Sequence, residues 1–567
     1  MFIPATIEEL RDLKWDKLDI ILVTGDSYID SSYTGVAVIG KWLIKHNYKV
    51  AIISQPTLES NTDICKFGEP KLFWGVTSGA VDSMVANYTA LKKRRKNDDL
   101  TAGGINNKRP DRAVIRYCNL IKQFCSKDTP IVIGGIEASL RRITHYDYWS
   151  NKLRKPILFD SKADILVYGE GERSILEIAE RLKNNQDINN IRGTCYISKE
   201  ISEFEHLKNY IKLPSYDEVV QNSESFRTMF DIIYKNNDPA NASGLIQQVG
   251  DRFLVQNPPS YYLENDELDQ VYEINYENKA HPIYKKQHIK ALETIKNSIT
   301  SHRGCFGECN FCAITVHFGR KIRNRTQESI INEAKKISNS TKFNGIIYNI
   351  GGASANMYNM SCKKQNIAGS CKNKRCLTPE ICSSMTVNHA KQIELLKKIS
   401  KIPKIKRVFV SSGIRYDLVM FDKKHGIEYA EYVISNCVSG QLKIAPEHTS
   451  KNILEFMAKN EYGLAEFNKL FKNISKKYKK RQYLTYYLIA AHPGCELRHM
   501  QQMNKYFSDV LQAKVEQIQI FTPTPSTYST MMYYTEKDFR NDSKIFVEKN
   551  PKKLQEQKDS ILALTKN

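Results

Sequence analysis

Ser301-His302-Arg303-Gly304-Cys305-Phe306-Gly307-Glu308-Cys309-Asn310-Phe311-Cys312 carries three of the chain's 13 cysteines, spaced C-x3-C-x2-C. Thiolates so placed wrap a short loop around an iron–sulfur cube and ligate three of its irons. The remaining iron has no cysteine from the loop, and an open metal position is what a catalytic site needs. A zinc knuckle is the rival reading, but it pairs two C-x2-C units, and no such pair is present. The loop follows the short run Ser298–Ser301, which places it at the carboxyl end of a predicted strand.

Outward from that loop, the C-terminal half alternates strands with helices. Strand-like runs fall at Ser298–Ser301, Gly345–Ile350, Val408–Ser411, Gln441–Ile444, Leu484–Ala490 and Gln517–Phe521. Six such units are too few for a closed barrel, so residues 291–535 are predicted to form a partial (β/α)6 TIM-type barrel. Reacting groups in such folds sit at strand carboxyl ends. Gly351-Gly352 ends the second strand, Ser411-Ser412-Gly413 the third, and Glu447 lies just past the fourth; each is weighed against an ordinary turn. A basic insertion at 360–385 holds Cys362, Cys371, Cys376 and Cys382, spaced C-x8-C-x4-C-x5-C. Four thiols in so short a stretch predict a closed metal site, zinc or a second iron–sulfur cluster.

Residues 1–200 alternate in the same manner. Asp19–Thr24 before Gly25-Asp26, Tyr48–Ser54, Pro130–Ile133 before Gly134-Gly135, and Asp164–Tyr168 before Gly169-Glu170-Gly171-Glu172 read as strand-then-turn units, with an amphipathic helix at Gly35–Lys45. This predicts a doubly wound, Rossmann-like sheet that meets ligands at its strands' carboxyl ends. Arg141, Arg142 and His145, near the glycine pair, either hold an anion or form a solvated face. Residues 201–290, dense in Asn, Asp and Lys, read as a connecting segment, and 536–567 as a polar C-terminal tail.

A hydrophobic fraction of 41% describes a globular chain of two or three domains. There is no apolar run of membrane-spanning length and no basic-then-apolar leader. Cysteines in that context point to a reducing cytoplasm and to metal ligation rather than disulfides. A net charge of +22 leaves nucleic acid as an alternative partner. The lysines are scattered, however, and lack the aromatic interleaving of an RNA platform.

The triad with Phe311 directly before its last cysteine resembles the signature of radical S-adenosylmethionine (SAM) enzymes. Met1-Phe2-Ile3-Pro4, Val23-Thr24-Gly25-Asp26, Gly134-Gly135-Ile136-Glu137-Ala138-Ser139-Leu140-Arg141-Arg142, His145-Tyr146-Asp147-Tyr148-Trp149 and Ala445-Pro446-Glu447-His448 narrow the resemblance to the YgiQ-type radical SAM family. The resemblance implies a [4Fe-4S] cluster on Cys305, Cys309 and Cys312, with SAM chelating the open iron. One electron then cleaves SAM to methionine and a 5′-deoxyadenosyl radical, which takes hydrogen from an unassigned substrate. An electron donor such as flavodoxin or ferredoxin is implied as a partner. Phe311 is expected near the adenine, the Gly351-Gly352 backbone at the methionine part of SAM, and Glu447 at the ribose hydroxyls. Ser411, at its strand end, is a further candidate contact. Ala353 stands where the family commonly has glutamate, so only the backbone role carries over.

The N-terminal half resembles the cobalamin-binding-type domain that precedes many radical SAM barrels. That domain's cobalt-ligating Asp-x-His-x-x-Gly is absent: Asp30-Ser31-Ser32-Tyr33-Thr34-Gly35 offers no histidine, which argues against cobalamin. The expected activity is radical SAM chemistry. The alternatives are an RNA-modifying radical SAM enzyme, suggested by charge alone, and a non-enzymatic electron-transfer iron–sulfur protein.

Overall fold

The computed structural model describes residues 1–125, 128–201 and 205–562. It divides into two compact units, one of residues 1–263 with 270–296, the other of residues 264–269 with those from 297 onward. Among the described residues no helix is long and apolar enough to cross a membrane.

The first unit is built on a nine-stranded sheet. From one edge the order is Ile211–Lys212, Leu245–Val249, Arg252–Gln256, Thr194–Ser198, Ile165–Val167, Ile131–Gly134, Phe73–Thr77, Ile20–Thr24 and Val50–Ser54. The last five of these run parallel. Every residue of Ile20–Thr24 is buried, which explains its unbroken apolar run. The helix Glu172–Lys183 covers one face through Ile175, Ile178 and Ala179, which join Ile20, Leu22 and Val132 in one core.

Two features depart from the sequence reading. Phe73–Thr77, a central strand interrupted by Gly75 and preceded by Pro70, is not among the strands read from the sequence. The glycine is required by packing, because a Cβ there would stand 2.5 Å from Leu22 Cδ2. Residues 201–290 do more than connect: Ile211–Lys212, Leu245–Val249 and Arg252–Gln256 extend the sheet, the last pairing antiparallel with Thr194–Ser198. Ile246 and Val255 bury themselves against Tyr196.

In the second unit, Ser298–Thr300 pairs in parallel with Asn349–Gly351, and Ile346–Ile347 with Arg407–Val408. A parallel bridge joins Ile414 to Ile444. Gln441–Glu447, Tyr483–Ala490 and Ile518–Ile520 complete the series, again parallel. The helices Gln327–Ser338, Ala390–Ser400, Gly426–Asn436, Leu464–Lys477 and Leu497–Tyr506 alternate with these segments. Their apolar stripes meet the strands in one core, for example Ile330, Leu396 and Phe467 with Ile299, Ile347 and Ile444. Within the polar C-terminal stretch, Pro551–Leu562 is a helix. Its Gln557 accepts from Ala491 N–H at 3.1 Å and donates to the Cys495 carbonyl at 3.1 Å.

Candidate active site

The cysteine loop leaves the carboxyl end of Ser298–Thr300 and turns at Gly304. Gly304 has φ +87°, and a Cβ there would run into the Lys321 carbonyl, so the turn requires glycine. Gly307 N–H donates to Cys305 Sγ at 3.3 Å. Ser354 Oγ lies 3.8 Å from Cys305 Sγ, and Arg415 Nη1 lies 3.9 Å from Cys309 Sγ. Gly307 faces the same space: a Cβ on it would stand 3.0 Å from Arg415 Nη1 and 3.2 Å from Cys305 Sγ. Burial, then the neighbouring Cys309 and Cys305, push the Cys312 thiol up to about 12, with Glu447 adding to the effect. The three thiols and Glu447 therefore share one electrostatic environment.

Asn310 pins the loop. Its N–H donates to the Met457 carbonyl at 2.9 Å, and its side-chain amide donates to the Phe456 carbonyl at 2.8 Å. Its Oδ1 accepts from Arg375 Nη2 at 2.6 Å. With these ties the loop's shape is held by the fold as well as by whatever the thiols bind.

Most of the other predicted residues gather around this loop. The Gly351 carbonyl accepts from Ser301 N–H at 2.8 Å. A Cβ on Gly352 would stand 2.6 Å from His302 Nε2, so the glycine pair presses its backbone against the start of the loop. Glu447 is buried at φ +67°, with its carboxylate 3.8 Å from Lys459 Nζ. Burial raises its carboxyl, opposed by the Lys459 and Arg415 charges. Phe311 packs against the core, edge-on to His492 with ring centroids 6.4 Å apart. Ser411 is committed elsewhere: its hydroxyl donates to the Tyr348 carbonyl at 2.6 Å and its N–H to Asn349 Oδ1 at 2.9 Å. That is a strand-end turn, so the cofactor contact expected of Ser411 is not supported by its bonding.

Arg415 was not singled out in the sequence, and neither were Asp417, Lys459 and Ser354. Arg415 is buried and held by both carboxylate oxygens of Asp417. A signal existed, since Arg415 and Asp417 form a charged pair within six residues of the predicted third strand's carboxyl end.

Of the insertion cysteines, Cys362, Cys376 and Cys382 join an apolar cluster with Phe306, Leu377, Met385 and Cys305 itself, whereas Cys371 is exposed. Among the described residues no three His, Cys, Asp or Glu side chains converge closely enough to hold a single metal ion. A four-iron cube sets its ligating sulfurs further apart than one tetrahedral ion does.

In the first unit the motif residues are buried, and the glutamate and arginines among them are bonded elsewhere in the chain. Glu137 is buried and accepts from the N–H groups of Ser83 and Val114 at 2.8 and 3.1 Å. Arg141 pairs with Asp82. Arg142 donates to Gln256 at 2.9 Å and to the Ser139 carbonyl at 2.7 Å. His145 is buried, and burial holds its imidazole down at about 3. These three are neither a solvated face nor open cations waiting for an anion. The strand ends are similarly occupied: the Gly25 carbonyl accepts from Arg109 and Gln55, while Asp26 is bound by Arg109 and by Ala80 N–H. Asp30 Oδ2 is taken by Lys41 at 2.8 Å and by Glu277 N–H at 3.0 Å. This donor set does not fit a histidine-ligated cobalamin.

A family model described as the radical SAM N-terminal region matches residues 2–298. A UPF0313 protein of Fusobacterium nucleatum is 52% identical, covering 100% of this chain and 99% of its own length. One from Thermotoga neapolitana is 45% identical over 99% and 98%. The chain belongs to the UPF0313 family of radical SAM proteins. It is thus an enzyme of the radical SAM class. Among solved structures, the radical SAM methyltransferase TsrM of Kitasatospora setae, with cobalamin and a [4Fe-4S] cluster bound, aligns with 91% of this UPF0313 chain and 77% of its own (TM-score 0.52, 13% identity). The cobalamin-dependent SAM radical enzyme OxsB, with aqua-cobalamin bound, aligns over 94% and 57% (TM-score 0.50, 12% identity). At such identity these likenesses speak for the α/β fold alone.

Proposed function

We propose that this UPF0313 chain abstracts hydrogen from its substrate by radical SAM chemistry, with Cys305, Cys309 and Cys312 as the ligands of a [4Fe-4S] cluster. The parallel strand segments of the second unit form a partial (β/α)6 barrel around this site. When bound, the cluster and SAM supply the reductive cleavage of SAM to methionine and a 5′-deoxyadenosyl radical. The observation that carries the reading is the meeting of the three thiols with buried Arg415, which Asp417 holds in place. Arg415 sets a fixed positive charge beside Cys309 and offsets thiolate charge there. Gly307 N–H and Ser354 Oγ orient the Cys305 sulfur. Glu447 serves as acceptor for ribose hydroxyls, with Lys459 opposing the rise that burial imposes on its carboxyl. Phe311 and the Gly351-Gly352 backbone flank the adenine and methionine ends. Electrons come from a reduced flavodoxin or ferredoxin in the cytoplasm. We assign cobalamin no part, because the Asp30–Gly35 stretch offers no histidine to ligate cobalt.

The test is anaerobic reconstitution with iron and sulfide, then dithionite, SAM and quantitation of 5′-deoxyadenosine. Wild type should form it and Cys309→Ala should not, with an unchanged far-UV spectrum. Wild-type amounts from Cys309→Ala would overturn the assignment.

A further inference from the structure

The insertion between the short strands Ser361–Cys362 and Met385–Thr386 is poorly built as a free loop. Only two residues pair at its neck, with Cys362 opposite Met385. Between them run residues 363–384, which contain one six-residue helix, Lys363–Ala368. Lys363, Lys364, Lys372 and Lys374 are exposed, and the loop's buried apolar content is small, chiefly Leu377. A loop of this length with so little core is ordinarily mobile or cross-linked.

The backbone nevertheless folds three cysteines together. Cys382 N–H donates to the Cys376 carbonyl at 2.8 Å, and Met385 N–H donates to the Cys382 carbonyl at 2.9 Å. Pairing of Met385 with Cys362 closes the circle, and the side chains of Cys362, Cys376 and Cys382 share one apolar cluster. Cys371 lies on the solvent side, its carbonyl accepting from Arg320 Nη1 at 3.1 Å. The same Arg320 pairs with Glu308 at 2.7 Å, so Cys371 is anchored beside the first cysteine loop.

The insertion is also clipped to that loop directly. Arg375, the residue before Cys376, donates to the Glu308 carbonyl at 2.6 Å and to Asn310 Oδ1 at 2.6 Å. Glu308 and Asn310 flank Cys309. Chance thiols have no reason to be gathered, given a basic rim and docked against a cluster loop. A basic rim offsets the charge of a thiolate-ligated centre.

We propose that Cys362, Cys376 and Cys382, with Cys371 as the solvent-side fourth ligand, hold a second iron–sulfur cluster whose irons are all ligated by cysteine. Such a site staples the insertion and needs no open iron. It differs from the SAM site in ligands and in chemistry, and its test reads metal rather than turnover.

The experiment compares full-length wild type with C305A/C309A/C312A, both reconstituted anaerobically with ferrous iron and sulfide. Wild type should carry about eight irons and the triple variant about four. Adding C362A/C376A/C382A to the triple variant should leave fewer than one. Four irons in wild type would overturn the second cluster even if the variants failed to fold. One zinc per chain in the triple variant, with no bound sulfide, would overturn it in favour of a tetrathiolate zinc site. Loss of 5′-deoxyadenosine formation with eight irons present would count against the proposed activity and leave this site standing.

Discussion

Replacing Arg109 with methionine asks whether the strand ends of the first unit are closed by the chain itself. The Arg109 side chain is fully buried, with Nη2 2.5 Å from Asp26 Oδ1 and 3.2 Å from Asp98 Oδ2. Methionine keeps an apolar stem but leaves two buried carboxylates without their cation. Removing one partner of a buried pair costs about 3–5 kcal/mol.

The loss should depend on pH. Burial holds Asp26 up at about 6, against the Arg109 charge and the Ala80 N–H, while Asp98 pushes it further up. The ordinary value is 3.8, so the unfolded chain releases this proton first and stability falls as pH rises from there to about 6. At ~1.36 kcal/mol per unit, the group removes roughly 3 kcal/mol across that window. Without Arg109 the folded carboxyl holds its proton to higher pH, and the fall continues beyond the wild-type plateau. Arg109→Met should therefore be closest to wild type near pH 5 and furthest from it near pH 8. Trp15, Trp42, Trp74 and Trp149, all the tryptophans of the chain, lie in the first unit, so their fluorescence in urea reports its unfolding. A loss under about 1 kcal/mol at pH 8, or an equal loss at both pH values, would refute the reasoning.

Incubation with hydroxocobalamin followed by desalting should leave no stoichiometric corrinoid spectrum; one corrinoid retained per chain would contradict the reading of the first unit. Gly352→Ala drives a Cβ to 2.6 Å from His302 Nε2 and should cost the second unit about 1–3 kcal/mol, seen as a lower melting temperature by far-UV circular dichroism. An unshifted melt would show that the glycine is replaceable there. Glu447→Gln removes a charged acceptor worth about 1.5–3 kcal/mol, so the KM for SAM should rise roughly ten- to a hundredfold with little change in kcat. An unchanged KM would remove Glu447 from the cofactor site.

The chain's local patterns account for much of the site. C-x3-C-x2-C is a short-range constraint, because neighbouring residues decide whether a loop can wrap a cluster. The apolar runs at Ile20–Thr24 and Tyr483–Ala490 announce buried strands because their side chains are apolar on both faces or nearly so. Phe73–Thr77 was hidden because Gly75, which lowers strand propensity in isolation, is selected by Leu22 some 50 residues away. The three strands within 201–290 were hidden because polar side chains such as Gln247 and Gln256 are buried there and bonded to Thr144 and Arg142.

Other features belong to the tertiary structure alone. Arg415 reaches Cys309 across more than 100 residues of chain, and the Glu447 charge acts on Cys312 from still further along it. No local signal orders such contacts, since they form only when successive strand ends are brought to one rim. Four evenly suggestive cysteines became three gathered and one at the surface, and a basic motif became buried side chains bonded within the chain. The sequence by itself determined the kinds of ligand and the loop that presents them. Folding decided which charges stand beside that loop and which are cancelled within the core, because burial makes every charge choose a partner.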